Sequence, residues 1–240
     1  MGRFGEDLAA IHAAGRSTLA TDAAARLIDE LGRSRRDGGV IVNLGCGTGE
    51  AAARLTAERL EVIAIDPSQE MLDIARRTAP RARFIQGSWV DAEIPSCDAV
   101  LAPDEILNQA DNGITQRHLE RLFGRVFRAL WPGGVFVFDL AGPGRVPVGE
   151  RQTRIEVGDD WALLTEETED RRGTLIREIT TMRKVDGSIR TAEETERQRL
   201  IPQQKVLGML RKVGFRARSF QGYDGERAAP GHSVYIARRP

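Results

Sequence analysis

A glycine-rich turn and an aspartate further along the chain are the residues whose types and spacing best fit ligand chemistry. Gly45, Gly47 and Gly49 follow an apolar run at residues 40–42, and Asp66 ends the next apolar run. Glycines at a strand-to-helix turn let the backbone come close to a ligand where side chains would clash. A carboxylate at the end of the second strand can accept hydrogen bonds from both hydroxyl groups of a ribose. Together these features predict a nucleoside-binding edge.

The spacing of the glycines separates two ligand classes. The dinucleotide fingerprint Gly-x-Gly-x-x-Gly would require a glycine at position 50, where this chain has Glu50. An acid at that position would also face the pyrophosphate. The observed Gly-x-Gly-x-Gly spacing instead favours a ligand without phosphates, such as S-adenosylmethionine, whose methionine part can lie over the turn.

Such a turn needs a parallel sheet to position it, and residues 40–142 have the pattern of one. Short apolar runs alternate there with segments that carry an apolar stripe at helical spacing. This alternation is typical of a parallel sheet covered by helices on both faces. The predicted strands lie at residues 40–42, 62–65, 82–85, 99–101 and 135–138. The predicted helices lie at residues 50–58, 68–78 and 115–130.

The segments on either side have different patterns. Residues 5–34 predict two helices with a break near residues 15–17. After a break at residues 142–144, β-prone and charged residues alternate, and Asp186-Gly187 between two such stretches is a strong hairpin signal. We predict an inserted antiparallel sheet of two or three strands. The last predicted elements are a helix from Pro202 to Gly214 and strands near residues 215–222 and 232–238.

These patterns predict one domain with an inserted part rather than two independent domains. At roughly 100–200 residues per domain, a chain of 240 residues fits one decorated domain. Its predicted parts are N-terminal helices at 1–37, a ligand-binding core at 38–142, an inserted sheet at 150–200, and a C-terminal helix with two strands at 201–240.

Four motifs of the core, in this order, resemble those of class I S-adenosylmethionine-dependent methyltransferases. They are VNLGCGTGE, AIDPSQEML, FIQGSW and LWPGGVFVFDL, within residues 38–141. The flanking segments are similar to a bacterial small-molecule branch with a β insertion after strand five. The resemblance implies an α/β, Rossmann-like seven-stranded sheet whose last strand is antiparallel, with helices on both faces, an inserted antiparallel β subdomain and an N-terminal helical lid. It also implies S-adenosyl-L-methionine as the cofactor and S-adenosyl-L-homocysteine as the product.

The resemblance also implies which residues bind the cofactor. It assigns the three glycines of the turn to the methionine end and Asp66 to the ribose. Asn43 stands where the family usually has an acid, so it keeps an acceptor for the cofactor ammonium but loses the charge attraction. Ser88 likewise stands where an acid often contacts the adenine. The implied cofactor-binding set is Asn43, Gly45, Cys46, Gly47, Gly49, Asp66, Pro67, Met71, Ser88, Trp89 and Pro103.

Catalytic candidates must lie at the carboxyl ends of the parallel strands. Methyl transfer is an in-line displacement, so alignment and desolvation can supply most of the rate, and a base is needed only if the nucleophile must lose a proton. His232 is the preferred general base, with a structural hydrogen bond as the alternative. We also expect Glu105, Tyr223 and Asp224 on this rim, and His12 in the lid.

Two further residues are predicted to contact the acceptor. Asn108 follows the fourth strand, close to Glu105, and Trp161 starts the insertion. The alternative for Glu105 and Asn108 is an acid and a cap at a helix start. The alternative for Trp161 is packing within the insertion, and for His12 an ordinary surface position.

The net charge and the cysteine count argue against several classes of protein. The chain has 35 basic and 35 acidic residues and a formal net charge of zero. This balance gives no overall attraction to nucleic acid or an anionic membrane, so we expect a small-molecule acceptor and disfavour nucleic acid. The two cysteines, Cys46 and Cys97, cannot form a disulfide framework or a four-ligand zinc site. No cluster of His, Asp and Glu has metal spacing, so no metal is expected.

Neither a membrane span nor a signal peptide is expected. No apolar run approaches the ~20 residues that a membrane helix needs. The first residues carry acids where a signal peptide would carry bases. We therefore predict a cytoplasmic protein, monomeric or homodimeric, whose inserted sheet offers an edge that could pair across a dimer.

The leading hypothesis is methyl transfer from S-adenosylmethionine to an oxygen or nitrogen of a small molecule. Methylation of RNA or protein is an alternative, because basic residues are in excess in residues 201–240. A non-catalytic S-adenosylmethionine-binding protein is another, because of the departures at Asn43 and Ser88.

Overall fold

The apolar runs form a central sheet and the alternating segment forms a second one. A computed structural model describes residues 5–15, 18–33, 39–223 and 229–240. The strands, in chain order, are β1 Val40–Leu44, β2 Glu61–Asp66, β3 Arg83–Gln86, β4 Cys97–Ala102, β5 Leu130–Ala141, β6 Arg151–Val157, β7 Trp161–Glu169, β8 Thr174–Val185, β9 Ser188–Arg199, β10 Arg216–Phe220 and β11 His232–Arg238. The helices are α1 Glu6–Gly15, α2 Thr18–Arg33, α3 Glu50–Ala57, α4 Gln69–Thr78, α5 Gln116–Ala129 and α6 Gln203–Val213, with a 3₁₀ turn at Ile106–Asn108.

The central sheet has seven strands in the order β10-β11-β5-β4-β1-β2-β3. Strands β1 to β5 pair in parallel, whereas β11 runs antiparallel to both β5 and β10. This confirms the expected Rossmann-like sheet with an antiparallel last strand. Because β11 is reversed, its first residue, His232, pairs with Ala141 at the end of β5. Both therefore lie at the edge where the parallel strands end.

The central sheet is buried on both faces. Along β5, Phe136 and Phe138 pack with α5 and α6, whereas Val137 packs on the other face with α2, α3 and α4. Successive side chains of a strand point to opposite faces, so an unbroken apolar run is what a sheet covered twice requires. These helices pack on the two faces of the sheet rather than on the edge where the parallel strands end. A ligand can therefore bind at that edge.

The inserted sheet has four antiparallel strands in the order β6-β7-β8-β9, so the expected number of two or three was wrong. The additional strand is β6, an edge strand whose seven residues are all exposed. It therefore buries no apolar face, although Thr153, Ile155 and Val157 alternate with polar residues along it. The hairpin predicted at Asp186-Gly187 is confirmed, with φ angles of 49° and 81° at these residues.

The two predicted N-terminal helices are confirmed as α1 and α2. Ion pairs connect α1 to the inserted sheet. The Asp7 carboxylate of α1 accepts hydrogen bonds from Arg183 of β8 and Arg190 of β9. Both arginines lower the pKa of Asp7, with the Arg190 hydrogen bond the largest cause. In the described part of the chain, no helix is long and apolar enough to cross a membrane.

Candidate active site

A cavity of about 330 Å³ lies between the carboxyl edge of the central sheet, α1 and the inserted sheet. The central sheet contributes the glycine turn, Asp66 and the segment after β4. The inserted sheet forms the opposite wall with side chains from β6 to β9, and α1 closes one side with Leu8 and His12. The predicted site residues that line this cavity are His12, Gly45, Gly47, Asp66, Met71, Pro103 and Glu105.

The three glycines of the turn serve three different purposes. A Cβ on Gly45 would lie 2.5 Å from the Ile106 side chain, so this glycine makes room for the segment after β4. A Cβ on Gly49 would lie 3.0 Å from Ala75, so this glycine lets α3 approach α4. A Cβ on Gly47 would meet nothing within 4 Å, and Gly47 lines the cavity. All three have positive φ, which glycine adopts most readily.

Asp66 holds the turn in place from the end of β2. Its side chain is 3 % exposed. The Gly47 N–H donates to Oδ2 of Asp66 at 2.9 Å, and the Ser68 N–H donates to Oδ1 at 2.9 Å. Ser68 in turn caps α4 by accepting the Met71 N–H at 3.1 Å. Each carboxylate oxygen has a second lone pair, so Asp66 can accept ligand hydroxyls besides these two backbone groups.

Six residues of the implied cofactor set lie outside the lining. Trp89 packs in the core and donates its indole N–H to Gln109 at 2.9 Å, and Ser88 accepts the Val90 N–H at 3.2 Å. Burial raises the pKa of the Cys46 thiol well above its usual range, so it stays neutral. The residues outside the lining are Asn43, Cys46, Gly49, Pro67, Ser88 and Trp89.

The turn after β4 is held by a buried aspartate that the sequence analysis missed. Asp104 and Glu105 have φ angles of 61° and 53°, an unfavourable region for residues with a side chain. Asp139, in β5 and fully buried, accepts the N–H groups of both. The Tyr223 hydroxyl also donates to Asp139. Burial raises the pKa of Asp139 to about 6, although the charge of His232 and the Tyr223 hydrogen bond oppose this.

The Glu105 carboxylate lies between the cavity and His232. His232 Nδ1 is 3.0 Å from Oε1 of Glu105, and two guanidinium nitrogens of Arg145 lie 3.0 Å from its two oxygens. Burial raises the pKa of Glu105, but the His232 hydrogen bond and the Arg145 charge outweigh it, and the pKa is lowered. Burial lowers the pKa of His232, but the same hydrogen bond and the nearby Asp139 charge raise it more.

This geometry makes His232 a neighbour of Glu105 rather than a wall of the cavity. His232 is 6 % exposed and is not among the lining residues, whereas Glu105 is. The Glu105 carboxylate beside the ring favours the protonated form of His232, and it engages the Nδ1 atom that would otherwise be available to take a proton. The role of His232 as a general base is a prediction that this arrangement does not favour.

Asn108, Trp161 and Tyr223 lie close to the cavity but do not line it. The Asn108 amide donates to the carbonyls of Ala141 and Arg199 at 2.8 and 2.6 Å, which ties the inserted sheet to β5. The Trp161 ring lies over Gly158, where a Cβ would come within 2.3 Å of it. The Tyr223 hydroxyl donates its hydrogen bond to the Asp139 carboxylate. Asp224, also expected here, lies outside the described residues.

The inserted sheet contributes a polar wall that sequence reasoning missed. The Arg177 guanidinium donates to Glu167 at 2.8 Å and lies 3.4 Å from Glu196. Gln198 is 1 % exposed and lines the cavity, and its carboxamide oxygen has no hydrogen-bond partner in the described part of the chain. The alternation of charged and β-prone residues predicted strands here, but it could not show which face meets a cavity. Among the residues that the structure describes, no group of His, Cys, Asp and Glu could hold a metal ion.

Comparisons with known proteins agree with this arrangement. The methyltransferase domain family matches residues 41–134. A putative methyltransferase of Bacillus subtilis (strain 168), YqeM, is 34 % identical over 107 residues, which are 42 % of this chain and 42 % of that protein. The chain thus matches less than half the length of this relative. Residues 41–134 resemble a methyltransferase domain, and this match covers less than half of the chain.

Solved structures match over nearly the whole chain. An S-adenosylmethionine-dependent methyltransferase from Clostridium acetobutylicum ATCC 824 superposes with a TM-score of 0.78 at 17 % identity, covering 95 % of each chain. CalS10, an amino pentose methyltransferase from Micromonospora echinaspora with bound S-adenosylmethionine, superposes with a TM-score of 0.75 at 21 % identity, covering 99 % of this chain and 98 % of that one. At these identities the likeness shows a shared fold, which includes the inserted sheet.

Proposed function

We propose that this protein transfers a methyl group from S-adenosylmethionine to an oxygen or nitrogen of a small-molecule acceptor. The observation that carries the proposal is the cavity itself. Gly45, Gly47 and Asp66 line one part of it at the ends of β1 and β2, and the inserted sheet lines the part opposite. One cavity therefore offers a nucleoside-binding edge and an acceptor wall.

The residues present fit the cofactor. The space beside Gly47 is open, and the Asp66 carboxylate lines the same cavity, where it could accept ribose hydroxyls. Asn43, at the turn, is completely buried, and both polar atoms of its amide lack a hydrogen-bond partner within the described residues. Buried amides are normally satisfied, but Asn43 does not line the cavity, so the fit to the cofactor rests on Gly47 and Asp66. Gly45 and Gly47 would hold the methionine part, Asp66 the ribose, and Met71 the adenine.

The protein contributes position and shielding rather than strong acid–base chemistry. Bound S-adenosylmethionine supplies an already activated methyl group. The α1 helix and the inserted sheet border the cavity and would shield a bound acceptor from part of the bulk water. Glu105 stays ionised beside Arg145 and His232 and is fixed in one orientation by both. Held in this way, it can orient an acceptor without removing a proton from it.

The size of the acceptor, the oligomeric state of the protein and its cellular location are predictions that belong to this proposal. A cavity of about 330 Å³ enclosed by two sheets suits a small molecule better than RNA or a folded protein. We propose a protein that acts in the cytoplasm without a membrane partner, as a monomer or a homodimer.

The proposal is tested with radiolabelled S-adenosylmethionine and a panel of small alcohols, phenols and amines. We expect label to enter at least one small acceptor. An Asp66→Ala variant should lose this transfer, and Asp73→Ala, on the exposed face of α4, should keep it. Binding of S-adenosylhomocysteine without any transfer would favour the non-catalytic alternative, and transfer only to RNA or protein would contradict the small-molecule assignment.

A further inference from the structure

The charge of the cavity wall limits which acceptors can enter. Six carboxylates line the cavity, against three guanidinium groups. One of the six, Asp66, belongs to the proposed ribose site, so five carboxylates remain near the acceptor. The lining carboxylates are Asp66, Asp104, Glu105, Glu156, Glu167 and Glu196. Such a wall attracts a cation and repels a carboxylate or phosphate.

Two of the three guanidinium groups are already engaged by the protein's own carboxylates. Arg145 contacts both oxygens of Glu105. Arg177 lies between Glu167 and Glu196, at 2.7 and 3.4 Å. An anionic acceptor would have to displace these partners and leave their carboxylates uncompensated. The same contacts compensate Glu105, Glu167 and Glu196, but five carboxylates outside the ribose site still face three guanidinium groups, so the wall remains acidic overall.

Gln198 provides an independent sign of a ligand. Gln198 lines the cavity, and its buried carboxamide oxygen has no partner in the part of the chain that the structure describes. A buried oxygen without a hydrogen bond is rare in folded proteins. An acceptor that donates an N–H or O–H group would satisfy it. Gln152 and Thr165 add uncharged polar groups to the same wall, which suits hydroxyl groups on the acceptor.

We propose that the acceptor is a small hydroxylated amine that enters as a cation and donates a hydrogen bond to Gln198. This inference rests on the proposed methyltransferase function. The ammonium first releases one proton to water. The nitrogen lone pair then forms a bond to the methyl carbon as the carbon–sulfur bond breaks, and that electron pair stays on sulfur as a neutral thioether. The methylated nitrogen carries the positive charge until it releases a second proton.

The test uses three probes of matched size and different charge. Protein saturated with S-adenosylhomocysteine is titrated in a calorimeter with D-glucosamine, D-glucose and D-glucuronate. We expect D-glucosamine to bind at least about tenfold more tightly than D-glucose, and D-glucuronate to bind most weakly. The proposal is overturned if the amine does not bind more tightly than both of its counterparts, whether or not they bind.

The role of Gln198 is tested by Gln198→Met, which keeps the side-chain length but removes the amide. We expect D-glucosamine affinity to fall about tenfold while S-adenosylhomocysteine affinity stays unchanged. The matched control is Gln203→Met, because Gln203 lies on exposed α6 and contacts Ser219; both affinities should stay at the wild-type value. Unchanged amine binding in Gln198→Met would overturn the contact. Failure of S-adenosylhomocysteine itself to bind would instead refute the proposed function.

Discussion

The buried carboxyl of Asp139 should give the protein an unusual dependence of stability on pH. Its pKa is raised from 3.8 to about 6, mainly by burial. Each pKa unit corresponds to about 1.4 kcal/mol, so the shift is equivalent to about 3 kcal/mol. Because the folded state holds this proton more strongly, the contribution to stability is full below about pH 3.8 and is lost as the pH rises through about 6.

The Asp139→Asn variant isolates this contribution. Asparagine does not titrate, whereas the remaining ionisable groups are the same in both proteins. Between about pH 4.5 and about pH 7, the wild type should lose about 2 kcal/mol more of its free energy of unfolding than the variant loses. The measurement is urea unfolding followed by far-UV circular dichroism at both pH values.

The control for Asp139→Asn is Asp73→Asn, which changes an exposed carboxylate that pairs with Arg76 on α4. Its stability should follow the wild-type pH dependence to within about 0.5 kcal/mol. If Asp139→Asn also runs parallel to the wild type, the buried carboxyl does not titrate as the structure implies. The description of the turn after β4 would then be wrong.

Three other substitutions, and one control on α6, test the glycine turn and its surroundings. Asp66→Ala should weaken S-adenosylhomocysteine binding in calorimetry by about 1.5–3 kcal/mol, through loss of charge-assisted hydrogen bonds, and an unchanged affinity would count against the ribose role. Gly49→Ala should lower the free energy of unfolding by about 1–3 kcal/mol, because its φ is +95° and the new Cβ would lie 3.0 Å from α4. Gly208→Ala, on exposed α6 where a Cβ meets nothing within 4 Å, should instead raise it by up to about 1 kcal/mol. Tyr223→Phe removes the hydroxyl donor to Asp139 and should cost about 1–3 kcal/mol in urea unfolding, so wild-type stability would contradict that hydrogen bond.

The edge strands β3 and β10 of the central sheet have no buried residue. The five inner strands could be predicted from the sequence because they are buried on both faces. Such strands are unbroken apolar runs, and the helices between them carry clear apolar stripes. Strand β6 could not be predicted in the same way, since every residue in it is exposed. The alternation of Thr153, Ile155 and Val157 with polar residues was a visible signal for this strand, and the prediction from sequence missed it.

The candidate site was predictable only where its residues are neighbours in the chain. The glycine turn and Asp66 follow consecutive strands, so their spacing shows that they meet. The contacts among Glu105, Arg145 and His232 join distant parts of the chain, and no local pattern reveals them. One signal was visible, because Asp139 is a single acid within an otherwise apolar strand. A buried acid of this kind needs donors, and here they are the backbone of the turn that carries Glu105.

The most direct test of the central claim is a calorimetric titration of the wild-type protein with S-adenosylhomocysteine. We expect one molecule bound per chain, because the open space beside Gly47 and the Asp66 carboxylate line the same cavity. No heat of binding at millimolar ligand would contradict it.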